Sequence, residues 1–130
     1  MRKPFISALA VLTLFLAGCG PEKSGGSYDD INALRDAFIK AGGDCEEWDE
    51  SNQVLGAAQS GDCGTDTVLS VYLTHDAVQQ RIADTKDSIF SAAGGEWLTG
   101  ENWVINTDDV RGLQEKMGGQ IVSFGSDEEE

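Results

Sequence analysis

The sequence has one histidine among 130 residues, and this scarcity excludes several kinds of active site. An HExxH zinc motif and a cluster of histidine ligands both need more than one. His75 stands beside Asp76 at a predicted helix start, where a capping or surface role is commoner than catalysis. The serines have no Gly-x-Ser-x-Gly context, and no phosphate-binding P-loop is present. We therefore predict no enzyme, no cofactor and no metal site.

Positive charge is also scarce, with nine lysines and arginines against 23 acidic residues and a formal charge of −14. A nucleic-acid partner needs a basic surface for phosphate contacts, so this class is disfavoured. Adhesion of the protein surface to anionic headgroups is disfavoured for the same reason. Any attachment to a membrane must then come from a separate anchor.

Residues 1–18 have the layout of a secretory signal. Arg2 and Lys3 precede an uncharged apolar run, which is shorter than the about 20 residues of a membrane-spanning helix. The ending Leu16-Ala17-Gly18-Cys19 resembles the lipobox of bacterial lipoproteins. That resemblance implies cleavage before Cys19, diacylglycerol on its thiol, and a lipid-anchored protein on the extracytoplasmic face of the cell membrane. The competing interpretations are a signal with an incidental cysteine, or a buried apolar helix.

Cleavage would change both the charge and the cysteine count. Loss of the two N-terminal cations takes the formal charge from −14 to −16. Lipidation of Cys19 leaves Cys45 and Cys63, and an exported protein sits in a disulfide-permissive compartment. A bond between them would close a loop of about 18 residues and stabilise the fold by roughly 3 kcal/mol. A metal or redox pair is the alternative, although no CxxC spacing exists.

The 112 residues that would remain suit one small domain. We expect a flexible, disordered tether over residues 19–28, the domain over 29–125, and a disordered acidic tail over 126–130. Periodicity predicts helices at Asp29–Ala41, at His75 to about Ala93, and at Asp108 to about Met117. It predicts strands at 53–58, 67–73, 96–98, 102–106 and 120–124, with a turn at 60–62.

This order of elements predicts an α+β fold. We expect a mainly antiparallel sheet of about four to five short strands, with two to three helices on one face.

Three tryptophans and an acidic run are the remaining candidates for binding. Trp103 lies in a predicted buried strand. Trp97, beside a Gly-Gly turn, and Trp48, among acids, are our candidate partner-binding residues, since an exposed tryptophan near acids can receive a cationic or peptide partner. Ordinary packing is the simpler interpretation of both. The acids could offer oxygens to calcium, but EF-hand spacing is absent and a solvated loop is the simpler interpretation. The acidic run comprises Asp44, Glu46, Glu47, Asp49 and Glu50.

The motif order resembles small secreted lipoproteins of actinobacteria and their phages. Shared features are the lipobox, a helix ending in Ala41-Gly42-Gly43 before Cys45, and a Gly-containing turn before Cys63. A Gly-x-x-Trp element at 100–103 and a Gly-Gly before the last strand complete the pattern. The resemblance covers most of the mature chain and implies a fold and a location, but no activity.

These observations favour a non-enzymatic interaction module on the outer face of a membrane, with an unknown protein or small-molecule partner. A more specific hypothesis, by analogy with lipoproteins carried by prophages, is superinfection exclusion, in which an anchored domain blocks DNA entry by a related phage. The alternatives are a small cell-envelope hydrolase and a structural or solute-binding envelope component.

Overall fold

The computed structural model describes residues 22–50, 53–88 and 94–125. Three helices are present in these ranges: α1 (Ile31–Lys40), α2 (His75–Lys86) and α3 (Val110–Met117). The strands are β1 (Trp48–Asp49), β2 (Gln59–Cys63), β3 (Thr67–Val71), β4 (Gly95–Thr99), β5 (Trp103–Asn106) and β6 (Gln120–Phe124). The predicted α+β class is confirmed.

All the strands belong to one antiparallel sheet in the order β1-β2-β3-β5-β4-β6. The sheet has six strands, more than expected, because the two-residue β1 adds to the edge of β2. Along the central strands, successive side chains alternate between the two faces. The sheet therefore separates two groups of buried residues.

One surface of the sheet, the closed face, is covered by α1 and α3 as predicted. Leu69, Leu98 and Ile105 project from the sheet, with Leu34 of α1 and Leu113 of α3 in the same core. Trp103 completes this layer and is fully buried, as the sequence predicted. Because two helices cover it, this face supplies most of the apolar burial that stabilises the domain.

Among the described residues, α2 is the helix on the opposite surface, the open face. Val78 and Ile82 of this helix belong to a smaller core with Trp97, Val104 and Phe124 of the sheet. Within the described ranges, α2 and the loop at 53–55 leave a cavity between them on this face, and the candidate site lies there.

A short polar side chain caps the N-terminus of each helix, at the expected position or one residue away from it. Thr74 accepts from the amide of Ala77, as the sequence predicted for α2. Asp109, rather than the predicted Asp108, accepts from Gly112 at the start of α3. The predicted end of α2 near Ala93 is wrong, because the helix ends at Lys86 with Asp87 as its C-cap and a turn follows at 87–88. Residues 89–93 lie outside the described residues.

The prediction for the segment before Cys63 is wrong. We expected a strand at 53–58 and a turn at 60–62, but residues 53–58 form turns and loop while β2 begins at Gln59. Gly61 lies inside the strand because Trp48 packs over it. A Cβ at this position would approach the Trp48 ring closely. A glycine that suggested a turn serves close packing instead.

The predicted disulfide is confirmed between Cys45 and Cys63, which are 18 residues apart in sequence. It links the segment after α1 to the last residue of β2. Because Cys63 is buried in the closed-face core, the bond ties this core to the polar segment that leads into β1.

Residues 22–28, which we call the N-terminal segment, do not behave as the expected disordered tether. The carbonyl of Gly26 accepts from the indole Nε1 of Trp103 at 3.0 Å and from the amide of Glu101 at 3.0 Å. Tyr28 exchanges hydrogen bonds with Asn102 and stacks edge-on against Trp103. Contacts with residues more than 70 positions away therefore hold this segment on the domain.

Candidate functional site

The open face contains a cavity of about 250 Å³, which we call the Arg81 groove. Its floor is the sheet, with side chains from β3, β4 and β5. One wall is α2, and the other is the loop at 53–55. The lining consists of Gln53, Val54, Leu55, Val68, Ser70, Tyr72, Arg81, Trp97, Val104 and Asn106.

Hydrogen-bonding groups line the inner part of this groove. Ser70 donates its hydroxyl to the Tyr72 oxygen at 3.0 Å, and both residues are buried. Burial raises the pKa of Tyr72 above its ordinary value, while the hydrogen bond from Ser70, the charge of Arg81 and a hydrogen bond from Arg81 oppose that rise. Tyr72 therefore stays protonated near neutral pH and retains an O–H to donate.

Arg81 places a permanent positive charge beside the hydroxyls. Its guanidinium lies 5.6 Å from the centroid of a Trp97 ring. Within the described ranges, no carboxylate forms an ion pair with Arg81. Since a guanidinium carries five N–H donors, stacking over a ring leaves donors at its edge available.

The loop wall is held by the sheet rather than by a helix. The amide of Val54 donates to the Ser60 hydroxyl of β2 at 3.0 Å, and Ala58 donates to the Val71 carbonyl at 2.8 Å. Leu55 stands at the rim with 78% of its surface exposed. The loop thus presents an apolar side chain to solvent at the mouth of the groove.

Trp97 is not exposed as an open partner-binding residue would be, because only 8% of its surface is accessible. Its ring packs edge-on against Phe124 with centroids 4.6 Å apart. The Gly-Gly pair beside it indicated an exposed turn, but β6 pairs along β4 and covers the residue. Trp97 still lines the Arg81 groove.

Trp48, the other candidate, lies at the distant edge of the sheet and is half-buried. Its indole Nε1 donates to Glu50 at 2.8 Å, and Arg35 lies 5.0 Å from its ring centroid. The structure therefore does not bring the two candidate tryptophans together. Sequence reasoning missed Arg81 and Tyr72, although Arg81 follows the α2 core residue Val78 by three positions, on the same side of that helix.

The acidic run is distributed between an edge strand and exposed loop. Asp49 belongs to β1, while Asp44 lines a separate cavity of about 450 Å³ beside α3. The described part of the chain contains no group of three His, Cys, Asp or Glu side chains arranged to hold a metal ion.

His75 lies at the start of α2, at the far end of the sheet from that acidic cavity. Its Nδ1 is 2.9 Å from the Glu101 carbonyl oxygen, and Gln79 lies within 3.4 Å of Nε2. The histidine lines a polar cavity with Ser24 and Gln120, separate from the Arg81 groove. Its contacts thus join the helix start to the loop after β4.

The signal, the lipobox residues Leu16, Ala17 and Gly18, and Cys19 lie outside the described residues, as does the acidic tail at 126–130. No helix within the described ranges is long and apolar enough to cross a membrane.

Comparisons of the chain with protein-family models, curated proteins and solved structures gave no match. Functional inference therefore depends on the chemistry of the Arg81 groove and the N-terminal motif.

Proposed function

We propose that the protein is a bacterial lipoprotein, anchored through Cys19, whose domain acts as a non-enzymatic binding module on the extracytoplasmic face of the membrane. The observation that carries the proposal is the Arg81 groove. Its polar groups are donors suited to recognition, and apolar side chains surround them. Binding sites commonly combine a concave apolar surface with a few converging polar groups.

The lining of the groove favours binding over hydrolysis. Glycoside hydrolysis uses a pair of carboxylates, and nucleophilic hydrolysis uses a base beside the nucleophile. The described lining contains no Asp, Glu or His, and the serine in it donates to Tyr72 rather than to a base. We therefore favour a module that holds its partner without changing it chemically.

The N-terminal segment supports a membrane-proximal placement. Glu22 follows Cys19 by three positions, and three extended residues span at most about 11 Å. Because residues 22–28 pack on the domain, a lipid on Cys19 would hold the end of the sheet containing Gly100 and Gly119 close to the bilayer. Two acyl chains are sufficient for stable anchoring.

Metabolic labelling with palmitate and membrane fractionation test the anchor. We expect the intact protein to carry label and sediment with membranes, and Cys19→Ala to lose the label and become soluble. A Ser24→Ala variant is the matched control, since it changes a nearby residue without removing the thiol. Continued membrane association of unlabelled Cys19→Ala would contradict the proposal.

Superinfection exclusion is the specific form that the resemblance to phage lipoproteins favours. Expression in a sensitive host is expected to reduce plaque formation by a related phage, and Cys19→Ala to restore it. Equal plaque counts with and without the protein, across all related phages, would count against this form. Recovery of the protein in the membrane fraction would still support the anchor.

A further inference from the structure

We infer that the Arg81 groove binds a single carboxylate attached to a small apolar group, supplied either by a free amino-acid-like acid or by the C-terminus of a peptide. The inference rests on the proposed function and names the chemical class of ligand that this module recognises.

The hydrogen-bond donors in the groove suit a carboxylate. Arg81 offers the guanidinium N–H groups that its hydrogen bond to Tyr72 leaves available, and the Tyr72 hydroxyl offers a proton because its oxygen already accepts from Ser70 and Arg81. Guanidinium and carboxylate match as a bidentate pair, which strengthens the contact and orients the ligand. With no described carboxylate paired to Arg81, a bound acid would not have to displace one.

Apolar side chains surround these donors. Val54, Val68 and Val104 line the cavity beside the donors, and Leu55 stands exposed at the rim. A volume of about 250 Å³ is below the roughly 300–1,000 Å³ of sites for drug-sized ligands. The groove thus suits one small apolar side chain next to the charged group, rather than a whole sugar or nucleotide.

The net negative charge of the chain favours a singly charged ligand. A formal charge of −14 repels anions, and the repulsion grows with ligand charge. One arginine can offset one negative charge, whereas a phosphate monoester near neutral pH brings up to two. The balance favours a monoanionic carboxylate over a phosphate.

Titration of the full chain, purified in dodecyl maltoside, with N-acetyl-L-leucine and N-acetyl-L-leucinamide tests this inference. Indole Nε1–H signals in nitrogen–proton NMR spectra report binding, with Trp97 assigned through Trp97→Phe. We expect the acid to shift the Trp97 signal and the amide to bind about tenfold more weakly or worse. Equal affinity for acid and amide, or no shift with either, would overturn the inference.

Arg81→Gln should weaken binding of the acid about tenfold or more, because the variant loses the charged hydrogen bonds. Arg35→Gln is the matched control, since Arg35 also stacks over a tryptophan but lies far from the groove. Unchanged affinity in Arg81→Gln, or an equal loss in Arg35→Gln, would contradict the assignment. Wild-type-like spectra of both variants in the absence of ligand would show that they are folded.

A leucine-ending pentapeptide, with either a free or an amidated C-terminus, distinguishes the two sources. Tighter binding of the free-carboxylate peptide than of N-acetyl-L-leucine assigns the groove to peptide ends, and the reverse assigns it to free acids. Either result supports carboxylate recognition. If no acid binds but the palmitate-labelled protein remains on membranes, only the proposed ligand class is overturned. If the protein is not anchored to membranes, the proposed function is overturned separately.

Discussion

The two faces of the sheet each carry an arginine over a tryptophan, but the pairs have different surroundings. On the closed face, Arg35 lies over Trp48 and is 3.7 Å from the Asp36 carboxylate, and the indole donates to Glu50. On the open face, Arg81 lies over Trp97 and borders a cavity. The same pair of residue types thus packs at a sheet edge in one place and lines a groove in the other.

Helix coverage explains this difference. Within the described residues, two helices and the N-terminal segment surround the closed face, whereas one helix, α2, and the loop at 53–55 pack on the open face. We expect changes on the closed face to reduce stability most, and changes in the groove to alter binding with smaller effects on folding. The following predictions test that division, from the largest expected effect to the smallest.

Replacing both Cys45 and Cys63 by serine should lower the free energy of unfolding by about 3 kcal/mol, because the unfolded chain gains the freedom of an 18-residue loop. Urea denaturation of the oxidised wild type and the double variant measures the change. Reduced wild type is the control and should match the variant. A difference below about 1 kcal/mol would show that the bond contributes little to the closed face.

Trp103→Phe should lower the free energy of unfolding by about 2 kcal/mol, since it removes buried volume and the indole donor to the Gly26 carbonyl. Trp97→Phe is the matched change on the open face. It should lower the free energy of unfolding by about 1 kcal/mol or less, because the Trp97 indole donates no hydrogen bond among the described residues and solvent can reach the cavity beside it. If urea denaturation showed a larger loss of stability for Trp97→Phe than for Trp103→Phe, the expected difference in stability between the two faces would be wrong.

Gly25→Ala should destabilise the domain by about 1–2 kcal/mol. Gly25 has φ +83°, and a Cβ there would lie 2.8 Å from the Trp103 ring and 3.0 Å from the Gly119 Cα. Gly42→Ala is the control, because its φ is +106° but nothing lies near its Cβ position. Equal losses of thermal stability in the two variants would show that backbone conformation alone, and not packing of the N-terminal segment, causes the effect.

Stability should decline above pH 10, in part because of Tyr72. Burial raises the pKa of Tyr72 above its ordinary 10.0, so the unfolded chain releases this proton at lower pH than the folded chain. The contribution to stability is complete below pH 10.0 and is lost as pH rises through the folded-state pKa. Tyr72→Phe should therefore flatten the decline in urea midpoint above about pH 10.

Tyr28→Phe provides the comparison on the closed face. Burial also raises the pKa of Tyr28, but this residue is only half-buried. We expect Tyr28→Phe to flatten the decline less than Tyr72→Phe does. If both variants keep the full wild-type slope, neither tyrosine couples folding to pH in this range.

Features with local causes could be predicted from the sequence. The Thr74 cap, the apolar stripe of α1 and the strand predicted at 67–73 each depend on residues within a few positions of one another, although the strand ends at Val71 and Leu73 is exposed. The strand predicted at 53–58 failed because the deciding contact was not local. Trp48 lies over Gly61 across paired strands, and no short window contains both residues.

The candidate site could be predicted only in fragments. Trp97 was a candidate because the neighbouring Gly-Gly pair could leave it exposed, whereas it lines the groove as a nearly buried side chain. Arg81 and Tyr72 looked like an ordinary helix-surface residue and an ordinary strand residue. Their proximity depends on how α2 packs against the sheet, which the periodicity of either element does not specify.

By itself, the sequence determined the α+β class, the helix starts, the cysteine pair and an acidic surface, because composition, capping and short-range periodicity specify these properties. Tertiary structure decided that residues 22–28 pack against Trp103, that two helices cover one face, and that the other face keeps a groove beside Arg81. The physical reason is separation along the sequence. The Trp103 indole and the Gly26 carbonyl are 77 positions apart, and only the folded chain brings them together.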